Sequence, residues 1–127
     1  MSKTAKAVVI PVSLNEYPYV TQLSENHLES FYKIIGCTCI DLVCLDERDD
    51  DTSIDMYVDD EGLLNQSPMN AYFMRAYKKG LCNAPLAGIG VVTKTDSEGE
   101  TVDVDLEDLR SLLKEYGFSD RELESLK

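Results

Sequence analysis

The chain has 127 residues, 43% apolar and 28% charged, which suits one domain whose core needs no disulfide or metal staple. Twenty-four Asp and Glu against 12 Lys and Arg leave a formal charge of −12. That balance repels nucleic acid and anionic membranes, both of which are bound through cations, and points to basic proteins or cations as charged partners.

Residues 5–12, AKAVVIPV, read as a strand that Pro11 marks as an edge or an end. SLNE is a turn and residues 17–23 are the returning strand. Ser24 is placed to cap a helix over 25–35, with Leu23 and Leu28 at the staple positions. Leu28, Phe31, Tyr32 and Ile35 recur at helical spacing, and Gly36 follows where a left-handed residue closes a helix. His27, the only histidine, falls in the first turn and reads as solvated.

CTCIDLVCL (37–45) is rich in strand formers, with Thr38, Ile40, Leu42 and Cys44 on one face. Its cysteines lack the spacing of a zinc knuckle, so Cys37, Cys39, Cys44 and Cys82 are expected to be reduced, buried and structural. DERDDDTS (46–53) is a polar loop and SIDMYV the next strand. VDDEGLL then reads as a tight turn with Gly62 at positive φ, a bulged hairpin leading into GLLNQ. DSEG at 96–99 repeats the build. Asp and Gly are what such turns select, which favours a turn role for these acids.

Asn70 is positioned to cap a helix through AYFMRAYKK, closed by Gly80, with Met74 and Tyr77, and Ala71 or Phe73, turned inward. Residues 86–94 form a strand whose Gly88 and Gly90 lack the rest of a dinucleotide fingerprint. Asp105 caps a helix with Leu106, Leu109, Leu112, Leu113 and Tyr116 on one side, ended by Gly117. Ser119 and Glu122 form a capping box for a last short turn. The pattern predicts an α+β single domain, a largely antiparallel sheet with two or three helices packed on one face. The compact part covers about 5–117, and 118–127 is a short C-terminal helix or tail. An open edge at strand 5–12 makes a dimer conceivable beside the monomer.

The chemistry is sparse. The acidic blocks lack calcium-loop spacing, no nucleophile has a catalytic context, and Cys37 follows a helix C-terminus, where the dipole disfavours a thiolate. No catalytic residue, metal or cofactor is expected, and the chain reads as non-enzymatic. Residues 46–61 hold nine acids and residues 96–108 hold seven, sixteen of the 24. Asp49, Asp50, Asp51, Asp59, Asp60, Glu61, Asp96 and Glu98 are the candidate partner-binding residues, a surface that could imitate the charge of a nucleic acid. The alternative is a pocket for a nucleotide-like small molecule, or a small enzyme site, lined by Asp41, Tyr57, Asn70 and Tyr72. No run reaches the length of a membrane helix and no signal peptide is evident, so a cytoplasmic location is expected.

Several blocks carry a family resemblance. Ile35-Gly36-Cys37 ends a helix, Ile40-Asp41-Leu42-Val43 follows, and Tyr57-Val58-Asp59-Asp60-Glu61-Gly62-Leu63-Leu64 makes a hairpin. Pro68-Met69-Asn70 and Leu86-Ala87-Gly88-x-Gly90-Val91-Val92 complete the set. Over roughly residues 5–108 this resembles an uncharacterised family of small domains from bacteria, phages and other mobile elements. Cys37 stands where many relatives have a second glycine, and Gln66-Ser67 precedes the proline where an apolar residue is usual. The resemblance implies a phage or mobile-element setting and a host cytoplasm, and it assigns no catalytic residues. Joined to the acidity and small size, it implies a binder of a basic host protein, inhibiting a defence or nucleic-acid-processing system.

Overall fold

The computed structural model describes residues 4–37, 39–61, 68–82 and 86–126. In chain order the elements are β1 (Ala5–Ile10), β2 (Tyr19–Leu23), α1 (His27–Ile35), β3 (Ile40–Glu47) and β4 (Ser53–Asp59). They continue with α2 (Ala71–Lys78), β5 (Gly90–Thr95), β6 (Thr101–Val102), α3 (Leu106–Glu115) and a 3-10 helix, Glu124–Leu126. The sheet is antiparallel, in the order β2-β1-β5-β4-β3, with β6 beside β5. The fold is α+β, as the element pattern predicts. The strand expected over 63–66, and Gly62 and Thr38, lie outside the described residues.

Strand β1 is not an edge. Ala5, Ala7, Val8, Val9 and Ile10 are all buried, because successive side chains enter cores on both faces of the sheet. Pro11 marks the end of the strand, and among the described residues the outer strands are β2 and β3. On one face Val8, Ile10, Ile54, Met56, Val58 and Val92 pack against Tyr72 and Phe73 of α2 and Leu109, Leu112 and Leu113 of α3. On the other face Ala5, Ala7, Leu23 and Val91 pack against Phe31 of α1, whose ring stacks on Tyr57 with centroids 4.0 Å apart. Two helices therefore share one face and the first stands on the opposite one. Gly90 sits where β5 passes Met56 most closely; a Cβ there would run into the thioether.

Helix α1 begins two residues later than its sequence suggests. Asn26 is the cap and accepts from the Glu29 amide at 3.1 Å. Ser24 instead joins the Ser30 hydroxyl, 2.7 Å away. That phase buries Ser30 and Phe31 and leaves Leu28 49% exposed, so Leu28 is no staple. Gly36 closes the helix at φ 78°, its amide donating to the Tyr32 carbonyl. In α2 the buried residues are Tyr72, Phe73 and Ala76, while Tyr77 is exposed and Met74 only partly covered. Asn70 is itself buried, and anchoring the cap inside the protein rotates the helix away from the phase its apolar residues suggest.

The C-terminal segment is part of the core and not a tail. Ser119 and Glu122 form the expected capping box, with Ser119 N to Glu122 Oε1 at 2.9 Å and Glu122 N to Ser119 Oγ at 3.3 Å. Phe118, Leu123 and Leu126 enter the larger core. Glu122 also receives both guanidinium ends of Arg75, at 3.0 and 2.7 Å, while that guanidinium lies 5.5 Å from the Tyr72 ring centre. The bidentate pair locks α2 to the C-terminal segment. Arg75 holds the Glu122 carboxyl below its usual range.

Two stability outcomes follow from these contacts. Asn70 accepts from the Tyr72 and Phe73 amides and donates to the carbonyls of Ile10, Pro11 and Gly88. Asn70→Ala should lower the unfolding free energy by about 2–4 kcal/mol in urea titration, combining a lost cap with buried carbonyls left unpaired. Asn70→Asp keeps the cap acceptor but not the donors, and should not rescue it. Glu122→Gln should cost about 1–3 kcal/mol at neutral pH. A carboxyl whose folded pKa is depressed stabilises above its unfolded value and loses that contribution as pH falls. Wild-type stability should therefore fall as pH drops through and below about 4.5, more steeply than that of Glu122→Gln.

Candidate functional site

Antiparallel pairing decides where the acids go. Glu47 pairs with Ser53, and Ser53 with Thr95, so the turn at 48–52 lies beside the turn at 96–100, at one end of the sheet. Both turns are built by their own aspartates. Asp50 Oδ1 accepts from the Thr52 hydroxyl at 2.6 Å and the Thr52 amide at 3.1 Å. Those bonds hold the exposed Asp50 carboxyl below the usual carboxylate range. Asp96 Oδ1 accepts from the Glu98 and Glu100 amides, both at 2.9 Å, and Gly99 adopts φ 83°. Asp51 takes the left-handed conformation at φ 66°, which Asp tolerates in turns.

Helix α3 starts at the same end. Asp105 caps it by accepting from the Glu107 and Asp108 amides, and Glu107 and Asp108 place negative charge where the helix dipole favours it. Arg48 bridges the two elements, donating to Asp108 Oδ1 at 2.9 Å while paired with Asp46. The result is one acidic end: Asp49, Asp50 and Asp51 from the first tip, Asp96 and Glu98 from the second, and the first turn of α3. Asp46, Glu47 and the α3 acids are members of this patch that the tip motifs do not announce. The signal available in sequence was the density of acids in 46–61 and 96–108.

Asp59, Asp60 and Glu61 lie elsewhere. Asp59 pairs with Ile40 at the other end of β4. Seven residues of strand put it about 20 Å from the two tips. Asp59 Oδ1 accepts from the Glu61 amide at 2.9 Å, again an aspartate shaping a turn. Among the described residues, no three His, Cys, Asp or Glu side chains gather as a metal-holding group.

The four residues considered for a small-molecule pocket do not converge. Tyr57 belongs to the α1 face and Tyr72 to the opposite one. The Tyr72 hydroxyl donates to the Glu16 carbonyl, and burial pushes its pKa up to about 12. Asn70 is 1% exposed, with its amide fully engaged at the α2 cap. Asp41 is exposed and accepts from the Leu42 amide at 2.9 Å. A buried acid lies elsewhere: Asp55, 5% exposed, accepts from Thr95 Oγ1 at 2.7 Å and Ser53 Oγ at 2.9 Å. Its neighbour across β3, Cys44, has its thiol pKa raised by burial and then by Asp55. Burial and Asp59 do the same to Cys37. Neither thiol is an activated nucleophile. None of the four cysteines is fully buried as expected: Cys39 and Cys44 are exposed, and Cys37 and Cys82 are only partly covered.

The structure does contain a cleft. About 320 Å³ lies between β3 and the α2–α3 layer, lined by Val43, Cys44, Leu45, Phe73, Leu81, Cys82, Leu86 and Tyr116. A second hollow of about 210 Å³ shares Leu45, Leu81 and Tyr116 and adds Asp46, Leu112 and Glu115. The Tyr116 hydroxyl crosses the groove to donate to the Leu45 carbonyl at 2.8 Å. Aliphatic and aromatic side chains share the lining with Cys44, Cys82 and the Tyr116 hydroxyl, and Asp46 and Glu115 line the adjoining hollow.

Comparison with known proteins bears on the fold. No curated protein matches the chain. A solved structure described as small RNA methyltransferase HEN1 is similar over 92% of this chain and 16% of that one, with a TM-score of 0.60 and 15% identity. At that identity the likeness is one of fold, and this chain spans about a sixth of the longer protein. No described helix is long and apolar enough to cross a membrane. The model of a domain of unknown function, DUF3846, matches residues 5–117, nearly all of the sheet and its helices, and the chain belongs to that family.

Proposed function

We propose that the protein is a non-enzymatic acidic accessory protein that binds a basic protein of the host cell, inhibiting a defence or nucleic-acid-processing system. The observation that carries this reading is the meeting of two acidic tips and the first turn of α3 at one end of the sheet. Each tip holds its backbone with aspartates of its own, so the charges are presented on closed turns and not on a loose segment. A fixed array loses less freedom on binding than a flexible acidic tail would. With a net charge of −12, the field beyond this end attracts cations and steers a basic partner. The phage or mobile-element setting implied by the sequence resemblance supplies the context. A nucleotide-like ligand has less support, since the residues lining the cleft include no cation to meet phosphate.

The test is capture of host proteins on immobilised protein, eluted with increasing salt. Asp49→Asn, Asp51→Asn, Glu98→Gln and Glu100→Gln together remove four charges without touching Asp50 or Asp96, which hold the turns. Retention of the captured protein should weaken at least tenfold in this variant and fall steeply with salt for the wild type. Asp60→Asn with Glu61→Gln, at the far end, should leave retention unchanged. A captured partner insensitive to both salt and the tip substitutions would overturn the proposal.

A further inference from the structure

We infer that the groove between β3 and the α2–α3 layer binds a cationic amphipathic segment of the same basic partner, seating an apolar side chain in the cleft. The inference deepens the acidic-end reading and rests on it. Three observations carry it. The floor is formed by Val43, Leu45, Phe73 and Leu86, and Leu81 stands at the groove 41% exposed, a large apolar side chain offered to solvent. The rim carries acids: Glu115, and Asp46 already paired with Arg48, line the adjoining hollow. And the groove leads into the acidic end, because Asp46 and Glu47 close β3 immediately before the tip at 48–52. A segment with Lys or Arg beside an apolar anchor matches floor and rim together, whereas an anionic ligand would face Glu115 with no cation among the lining residues.

The geometry also says how the segment binds. Among the described residues β3 is an outer strand, yet it is blunted against strand addition. Asp41 takes the Leu42 amide, Tyr116 takes the Leu45 carbonyl, and the register with β4 shifts between Cys44 and Asp46. Recognition therefore runs through side chains in the groove and not through backbone pairing along the edge.

The experiment uses fluorescence anisotropy with two labelled peptides of equal positive charge, one of Leu and Lys, the other with Ser for every Leu. The wild type should bind the Leu/Lys peptide at least tenfold tighter. Leu81→Ser should abolish most of that preference while leaving the Ser/Lys peptide unaffected, and Glu115→Gln should weaken both. Thermal unfolding of each variant checks that the fold is kept. The tip variant described above should weaken both peptides alike and preserve their ratio. Equal affinity of the two peptides for the wild type, or a preference that survives Leu81→Ser, overturns the groove inference alone. A Leu/Lys preference that persists with no effect of the tip variant overturns the acidic-end reading and keeps the groove. Failure of both peptides to bind at low salt overturns both.

Discussion

The carboxamide of Asn70 ties the start of α2 to the paired ends of β1 and β5. Its oxygen starts α2, and its nitrogen holds the end of β1 at Pro11 and the approach to β5 at Gly88. The backbone around it reinforces the junction: Asn70 N donates to Leu86 O, Ala71 N to Val12 O and Gly88 N to Pro68 O, each at 2.8 Å. Buried in this way, the amide must find every partner inside the protein, since an unmet donor or acceptor there costs more than a bond contributes. That requirement sets the phase of α2, and with it Tyr72, Phe73 and Arg75. Phe118 then stacks on Tyr72 with ring centres 4.9 Å apart, and Glu122 closes on Arg75. The larger core is thus assembled outward from one polar contact.

The acidic end is built on a different principle. Like charges brought together repel, and a compact patch of carboxylates lowers stability unless something offsets it. Here Arg48 lies between Asp46 and Asp108, the α3 dipole faces Glu107 and Asp108, and the turn aspartates accept amide hydrogen bonds. These devices are local and inexpensive in sequence, and they let the sheet carry two acidic hairpins side by side. Asp46, held by Arg48, also lines the hollow beside β3, which places that hollow next to the charged end.

Much of this was legible residue by residue where the physics is local. Gly36, Gly99, the caps at Asn70 and Asp105, and the Ser119–Glu122 box each depend on a few neighbouring atoms, and each stands where the residue types place it. The DSEG turn and the family blocks were readable for the same reason. What misled was periodicity over short spans. Leu28 fits the apolar stripe of α1, but the cap at Asn26 and the stack of Phe31 on Tyr57 set the phase, and Leu28 faces solvent. Pro11 ends β1 without making it an edge, because whether a strand has neighbours on both sides depends on segments far along the chain.

Charge, turn chemistry and helix boundaries are properties of short stretches, and the amino-acid order of this protein specifies them directly. Which acids become neighbours is not such a property. Asp49 and Asp96 are 47 positions apart, yet they flank one another because β4 and β5 pair antiparallel. Asp59 is nearer to Asp49 in the chain and lies at the far end of the same strand. The groove beside β3 likewise exists only once α2 and α3 pack on one face, since its walls come from three elements that meet nowhere in the linear chain. Hydrogen bonds within a turn need only adjacent residues. A surface needs the sheet.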